Sequence, residues 1–446
     1  MPTSRPRLFA LAWPLFIELL LGIGIGVVGT VLAARLSDAS GGAFALANHV
    51  SATLFILFRL IGAGISVVVT QSLGGGRRDQ ADAVARASLG ASSWLGGSAA
   101  LLALLAAGPL LRAMNAPDSV LPLALPLLQW MAPAMLLDAW NASMASVMRA
   151  HMRTRDTLLV IVVMQLVTLL LALLLMPSAG LPGFALALTF SRAVGLAMHW
   201  LLWRWRLGLR PQWSDWWRLP RNELAAMLHI GLPGAAENIA YRLAYMVSVA
   251  VAGQIGAQAL ATQAYASQLM YGVLLFGLAT GFAVEIMVGH MIGAGHLHAA
   301  HRLVRRALAV GLVMSLLVST VFALAAPFLL RLFTQDEEII ALGSWLMWLT
   351  VLLEPGRTFN LVVINALRAA GDARFPVLAG AASMLIVLAG GSWFLGVHLG
   401  LGLTGLWIAY AADEWIRGLL MWRRWATLGW VPSARAAHRR LRRSAQ

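Results

Sequence analysis

Apolar runs long enough to cross a ~30 Å hydrocarbon layer, at about 20 residues per helix, recur about a dozen times along the chain. They lie near residues 8–36, 43–71, 84–111, 120–149, 157–176, 182–206, 226–255, 258–289, 302–330, 339–368, 375–397 and 401–424, with polar residues, glycines and prolines collected between them. In lipid every backbone polar group must be satisfied within the chain, so runs of this length predict an all-α polytopic membrane protein with about 12 transmembrane helices. The first run, from Leu8 to about Val31, is too long for a signal-peptide core and has no small-residue cleavage site followed by a soluble domain. It is expected to remain as the first span.

Basic residues supply an independent check, because cytoplasmic segments carry an excess of them. Arg5 and Arg7, Arg77 and Arg78, Arg149 to Arg155, Arg204 to Arg221, Arg302 to Arg306, Arg368 to Arg374 and the arginine-rich tail fall in alternate segments. The opposite loops, at 37–42, 115–120, 177–183 and 334–339, carry almost none. Both termini are therefore expected in the cytoplasm, and the protein in a bacterial cytoplasmic (inner) membrane.

The pattern is also duplicated. Pro14, Glu18, Gly62, Gly74, Gly76, Arg86, Arg112, Asn141, Arg149 and Arg155 reappear as Pro233, Glu237, Gly281, Gly293, Gly295, Arg305, Arg331, Asn360, Arg368 and Arg374. Every pair is 219 positions apart, 233 minus 14 and 374 minus 155 alike. Six spans per repeat place both repeats in the same orientation, as two pseudo-symmetric six-helix bundles with a substrate cleft expected between them. The expected organisation is an N-lobe over 1–206, a linker over 207–222, a C-lobe over 223–430 and a basic tail over 431–446. The linker, with Trp213, Trp216 and Trp217 beside arginines, suits the headgroup region. The final RRLRRSAQ is expected to be disordered and to meet acidic lipid.

Composition narrows the class. The chain is 60% hydrophobic and 11% charged, with a mean hydropathy of +0.78, whereas soluble domains carry roughly 25% charged residues. Its net charge of +15 sits in short clusters between apolar runs rather than in one patch, so membrane topology explains it better than nucleic acid. With no cysteine, disulfides, thiolate catalysis and thiolate metal sites are excluded together. The glycine-rich stretches at 71–79 and 289–301 follow no strand and lack a P-loop lysine, so they read as helix stops rather than phosphate cradles. His290, His296, His298 and His301 have no carboxylate or thiolate at ligand spacing, and no metal is expected there. No Ser, His and Asp arrangement suggests an enzyme.

An ionisable residue deep in a spanning helix costs at least ~2.5 kcal/mol and asks for a partner or a function. Glu18 follows Pro14 in span one, and Asp138 lies midway along span four, three residues before Asn141. Glu237 and Asn238 follow Pro233 in span seven, with Tyr241 and Arg242 next along the helix. Span ten carries Glu354, Arg357, Asn360 and Asn365, and span twelve Asp413, Glu414 and Arg417. Glu354 and Arg357, and Asp413 and Arg417, are spaced to pair on one helical face. Pro355 removes a helix hydrogen bond between the first two, which would open carbonyls there. A desolvated carboxylate with an arginine nearby is the logic of a proton relay, and Glu237 is the leading candidate. Its repeat partner Glu18 fits a structural role as well, capping backbone groups freed by Pro14. His49, Arg59 and Glu285 are further cleft candidates.

These residues carry a resemblance. The opening LAWPLFIELLLGIGIGVVGTVLAARLSD, the QSLGGGRRDQADAVAR that ends span two, its echo VGHMIGAGHLHAAHRLVRR, and EPGRTFNLVVINALRAAGDARFP resemble the multidrug and toxic compound extrusion (MATE) family over essentially the whole chain. The resemblance implies a two-lobed, V-shaped, twelve-helix transporter that exports organic cations in exchange for protons or sodium ions. Family members often place an aspartate in span one where this chain has Gly29. The sodium-coupled branch uses a glutamate in span seven and an aspartate in span ten where this chain has Tyr241 and Arg357. An arginine opposes sodium, so proton coupling is favoured, through Glu237 modulated by Glu354 and Arg357, with Asp138 as the N-lobe alternative. Glu18, Asn238, Tyr241, Asn141, Asn360, Asp413 and Arg417 are expected to line or support the cleft. No cofactor or metal is expected beyond the coupling ion. The expected partners are small organic molecules and membrane lipids, with no nucleic acid, around a monomer. Sodium coupling, a lipid-linked precursor flippase and, from another class, a lipid-modifying membrane enzyme remain as alternatives.

Overall fold

The computed structural model describes residues 8–114 and 117–443. Among the described residues there is no strand, and twelve long helical segments follow one another. In chain order they are α1 (Leu8–Ala34), α2 (Asp38–Leu54 continued by Ile56–Gly74), α3 (Arg78–Leu105, continued by Ala107–Ala113), α4 (Leu121–Trp130 with Ala132–Ala150), α5 (Thr154–Ala179) and α6 (Leu181–Leu202). The second set is α7 (Arg221–Ile255), α8 (Ala257–Gly293), α9 (Leu297–Leu330), α10 (Glu337–Ala369), α11 (Arg374–His398) and α12 (Gly402–Ala426). Eight are long and apolar enough to span a membrane unaided, and the two pieces of α4 together make a ninth, bent by 45° at Met131. The other three, α2, α7 and α12, are broken or more polar. The protein is a multi-pass, all-α membrane protein of twelve helices in two six-helix bundles.

Local chemistry sets the helix ends. The Ser37 hydroxyl accepts from Ser40 N at 3.0 Å to open α2, and Asp336 accepts from Glu338 N and Ile339 N to open α10, each satisfying donors the first turn leaves free. Gly76 and Gly295, one repeat apart, both close their helices at positive φ, +74° and +76°, where a side chain would be strained. The glycine-rich stretches are thus helix stops, as their composition suggests.

By contact, one unit comprises Ile17–Leu73 and Arg77–Leu232, and the other the chain up to Phe16, Gly74–Gly76 and Pro233 onward. The division falls inside α7 rather than within 207–222. Residues 207–232 belong to the N-terminal unit because Leu209 and Met227 are buried among its apolar side chains. Trp216 also packs edge-on against Trp140, and Trp94 Nε1 donates to Trp217 O at 3.1 Å. The tail likewise departs from expectation. A thirteenth helix, α13 (Val431–Arg443), runs into the stretch expected to be disordered. It follows a buried Trp425 and Trp430 stack with ring centres 4.2 Å apart, and His438 Nδ1 lies 2.9 Å from Gly293 O.

Lipid offers no hydrophobic drive between helices, so close approach and internal polar contacts hold such bundles. In the N-terminal unit a Cβ on Gly96 would lie 2.6 Å from that of Ala139, and in the C-terminal unit one on Gly356 would lie 2.6 Å from Trp415. Each unit carries two main apolar clusters. Along α10, residues 354–360 fall between Leu353 in one cluster and Val362 in the other.

Candidate functional site: buried ion pairs in each half

In the N-terminal unit, Glu18 on α1 accepts from Arg149 Nη1 at 2.8 Å and from the Thr157 hydroxyl. The second pair joins Asp138 Oδ1 on α4 to Arg192 Nε on α6 at 3.0 Å. Asn141 donates to Arg192 O at 2.9 Å, while its Oδ1 meets His199 Nδ1 at 2.9 Å. Glu18 therefore does not cap groups freed by Pro14, and α1 runs unbroken through that proline. A charged partner 131 residues away takes its place.

The C-terminal unit repeats the first pair and elaborates the second. Glu237 on α7 pairs with Arg368 on α10, again 131 residues apart. Arg357 on α10 donates to Glu354 at 2.6 Å and to Glu414 on α12 at 3.1 Å. Asn360 donates to the other Glu414 oxygen at 3.0 Å. Arg417 Nη2 lies 2.7 Å from Asp413 and 2.9 Å from Glu414, and Ser383 on α11 donates to Asp413 at 2.6 Å. Gly380 joins the two sets, since a Cβ there would lie 3.8 Å from Glu237 Cγ and 4.0 Å from Arg417 Cδ. Tyr241 lies with its ring 6.0 Å from the Arg417 guanidinium carbon. Four carboxylates (Glu237, Glu354, Asp413, Glu414) thus meet three guanidiniums (Arg357, Arg368, Arg417), and all but Arg368 are below 10% exposed. The cluster carries one formal negative charge more than it neutralises.

The pairings within α10 and within α12 follow the sequence spacing. α10 continues through Pro355, whose ring nitrogen has no hydrogen to donate to the preceding turn. Asn238 turns back on its own helix, donating to Gly234 O at 2.8 Å. Glu285 is buried and His49 exposed; the Arg59 side chain lies outside the described residues. Three partners escaped the sequence reading, Arg149 and Arg368, taken as loop charges, and Arg192; Glu414 was marked as a charge of span twelve, but not its contact with Arg357. The repeat held a signal for the first two, because Arg149 and Arg368 stand at one constant distance from Glu18 and Glu237. Among the described residues no group of three or more His, Asp or Glu is arranged to hold a metal.

A duplicated membrane bundle with charges buried and paired in both halves is the build of a secondary transporter. Comparison with known proteins assigns it further. A model of the MatE family matches residues 14–174 and again 233–393, two stretches separated by the same 219 positions, and the chain belongs to this family of multidrug and toxic compound extrusion transporters. It is 32% identical over 435 residues to an uncharacterized transporter, YisQ, of Bacillus subtilis, covering 96% of each chain. It is 26% identical to a probable multidrug resistance protein NorM of Synechococcus, over 94% of this chain and 93% of that one. The Vibrio cholerae MATE transporter VcmN in its bent form shares the fold, with a TM-score of 0.87 at 21% identity over 96% of this chain and 97% of that one.

Proposed function

We propose that the protein is a secondary antiporter that exports amphipathic, cationic small molecules across a bacterial cytoplasmic membrane in exchange for protons, working as a monomer by alternating access. The observation that carries the proton choice is the charge balance of the C-terminal cluster. One buried negative charge without a counter-ion costs several kcal/mol, and a proton neutralises it without disturbing the packing. A sodium ion would need several oxygens free of competing charge, whereas the oxygens of Glu354, Asp413 and Glu414 already face guanidiniums. In this reading Glu237, Glu354 and Arg357 form the relay, with Asp138 as the alternative in the other unit. Drug export is supported by the multidrug resistance protein among the relatives. It is favoured over flipping of a lipid-linked phosphate because the buried arginines Arg192, Arg357 and Arg417 each sit on a carboxylate, leaving them little capacity to clamp a phosphate.

The test is efflux of a fluorescent cationic dye from vesicles containing the purified protein, under a proton gradient alone and a sodium gradient alone. Movement on protons alone is expected. A requirement for sodium would overturn the coupling ion, and no movement under either gradient would point to the flippase. If Glu237→Gln leaves efflux intact while Asp138→Asn abolishes it, the relay belongs to the N-terminal unit.

A further inference from the structure

The polar stretch that follows α6 is fixed in place rather than slack. α6 runs on into a widened turn, Trp203–Leu207. Gly208, at φ +71°, then reverses the chain, so that Leu209 N donates back to Trp203 O at 3.0 Å. Arg78 on α3 donates to Leu207 O, and Gly90 on α3 leaves room for the carbonyl oxygen of Arg218. Trp203, Leu207 and Leu209 are buried, which leaves the other side of the stretch facing outward. That side is basic and aromatic at once. Arg204, Arg206, Arg210, Arg218 and Arg221 are all exposed, and among the described residues none of the five is in an ion pair. Asp215 does not answer them, because it accepts from Gln212 N at 2.8 Å within its own turn. With Glu223 counted, residues 203–223 keep a net charge of +3. Between the arginines, Trp205, Trp213 and Trp217 are 73%, 78% and 52% exposed.

The chemistry of this face selects its partner. Three exposed indoles on one short stretch are costly against water, whereas amphipathic rings settle at the boundary between hydrocarbon and headgroups. The stretch begins where the spanning run of α6 ends, at Leu207. Unpaired guanidiniums call for an anion and match the geometry of phosphate oxygens. A zwitterionic headgroup carries its own ammonium, so a net positive surface favours the anionic one. The duplication supplies a second observation. Trp203 and Trp425, both fully buried, stand 222 residues apart. Past Trp425 comes α13, with Arg435 and Arg439 exposed. Each unit therefore ends, beyond its sixth helix, in a basic segment that follows a buried indole.

We propose that residues 203–221 form a docking surface for anionic phospholipid headgroups of the leaflet on the arginine-rich side. Arg204, Arg206 and Arg210 take the lipid phosphates, and Trp205, Trp213 and Trp217 sit among the headgroups. The inference goes beyond the transport reading and depends neither on the coupling ion nor on the exported molecule.

The test reads lipid capture at the surface itself, in the full-length protein. The chain has no cysteine, so Leu219→Cys, at an exposed position, carries a single fluorescent label. In detergent micelles the label is titrated with phosphatidylglycerol bearing a nitroxide quencher on its acyl chain, and separately with phosphatidylcholine bearing the same quencher. Quenching by phosphatidylglycerol is expected at the lower concentration, with the difference shrinking as salt is raised. Adding Arg204→Gln, Arg206→Gln and Arg210→Gln should weaken phosphatidylglycerol capture on the order of a hundredfold and leave phosphatidylcholine unchanged. Arg218→Gln with Arg221→Gln stands in if the triple variant misfolds. Arg302→Gln, Arg305→Gln and Arg306→Gln remove an equal, exposed charge at the start of α9 and should leave the preference in place. Equal quenching by the two lipids in the parent protein overturns the surface. So does an equal loss from the α9 variant, which would make the effect one of overall charge. Displacement of the lipid by millimolar inorganic phosphate would reassign the face to free anions and overturn the lipid reading.

Discussion

The two halves of the chain solve one packing problem with different charges. Glu18 with Arg149 and Glu237 with Arg368 are copies, joining the first helix of each repeat to the end of the fourth. The next pair is not a copy. Asp138 and Arg357 stand 219 residues apart, and by α6 and α12 the offset has grown to 222, as Gly183 with Gly405 and the fully buried Trp203 with Trp425 attest. At that offset Arg192 answers to Glu414. The same interhelical bridge is thus present in both halves, at 3.0 Å and 3.1 Å, with its signs exchanged. A Coulomb pair is indifferent to such an exchange, so the bridge keeps its structural value. The surrounding field is not indifferent, and only the C-terminal half has added Glu354, Asp413 and Arg417 around it. The copied pair serves the packing in both halves; what differs is its setting, since only in the C-terminal half does Gly380 bring it beside the added charges, at Glu237 and Arg417.

The sharpest test of that contrast is Glu414→Gln against Asp138→Asn. Glu414 serves Arg357, Asn360 and Arg417 together, so its loss should cost about 3–5 kcal/mol and abolish coupled efflux. Arg192 keeps Thr168 and Ser191 within 3.3 Å, so Asp138→Asn should cost about 1–3 kcal/mol. Thermal unfolding in detergent measures both, and equal losses would break the comparison. If the N-terminal bridge is structural, Asp138→Arg should be strongly destabilising alone and largely restored by adding Arg192→Glu, with a coupling energy of about 0.5–3 kcal/mol in the double-mutant cycle. The duplicated pair allows a subtler test. Glu18→Gln should lower stability and leave the pH profile of efflux in place, whereas Glu237→Gln should move the profile.

Glycines sharpen the contrast further. Gly62 and Gly281 are one repeat apart, but a Cβ on Gly62 would come no nearer than 4.0 Å to Ser146, whereas one on Gly281 would meet Asn365 Nδ2 at 2.7 Å and Leu361 O at 3.1 Å. Gly281→Ala should cost about 1–3 kcal/mol, while Gly62→Ala should be neutral or stabilising by up to about 1 kcal/mol. The smallest effect belongs to the exposed Arg331 and Glu337 contact at 3.4 Å, where Arg331→Ala should shift stability by less than about 1 kcal/mol.

The twelve apolar runs, the duplication and the pairings within one helix were legible in the sequence, because hydropathy, a fixed offset and a three- or four-residue step are properties of the chain read in one dimension. Those properties fixed the fold class and marked Glu354 with Arg357 and Asp413 with Arg417. The meeting of α10 with α12 at Glu414, of Glu237 with Arg368, and of Asp138 with Arg192 depended on how each helix is rotated about its axis. A residue turns by roughly 100° per step along a helix, and periodicity cannot say which neighbour it then faces. The buried hydrogen bonds that join Ser248, Gln263, Ser392 and Tyr410 were hidden for the same reason: the four lie on four helices, and each alone is an ordinary polar residue in an apolar run. Only packing α7, α8, α11 and α12 around one axis turned them into a connected set.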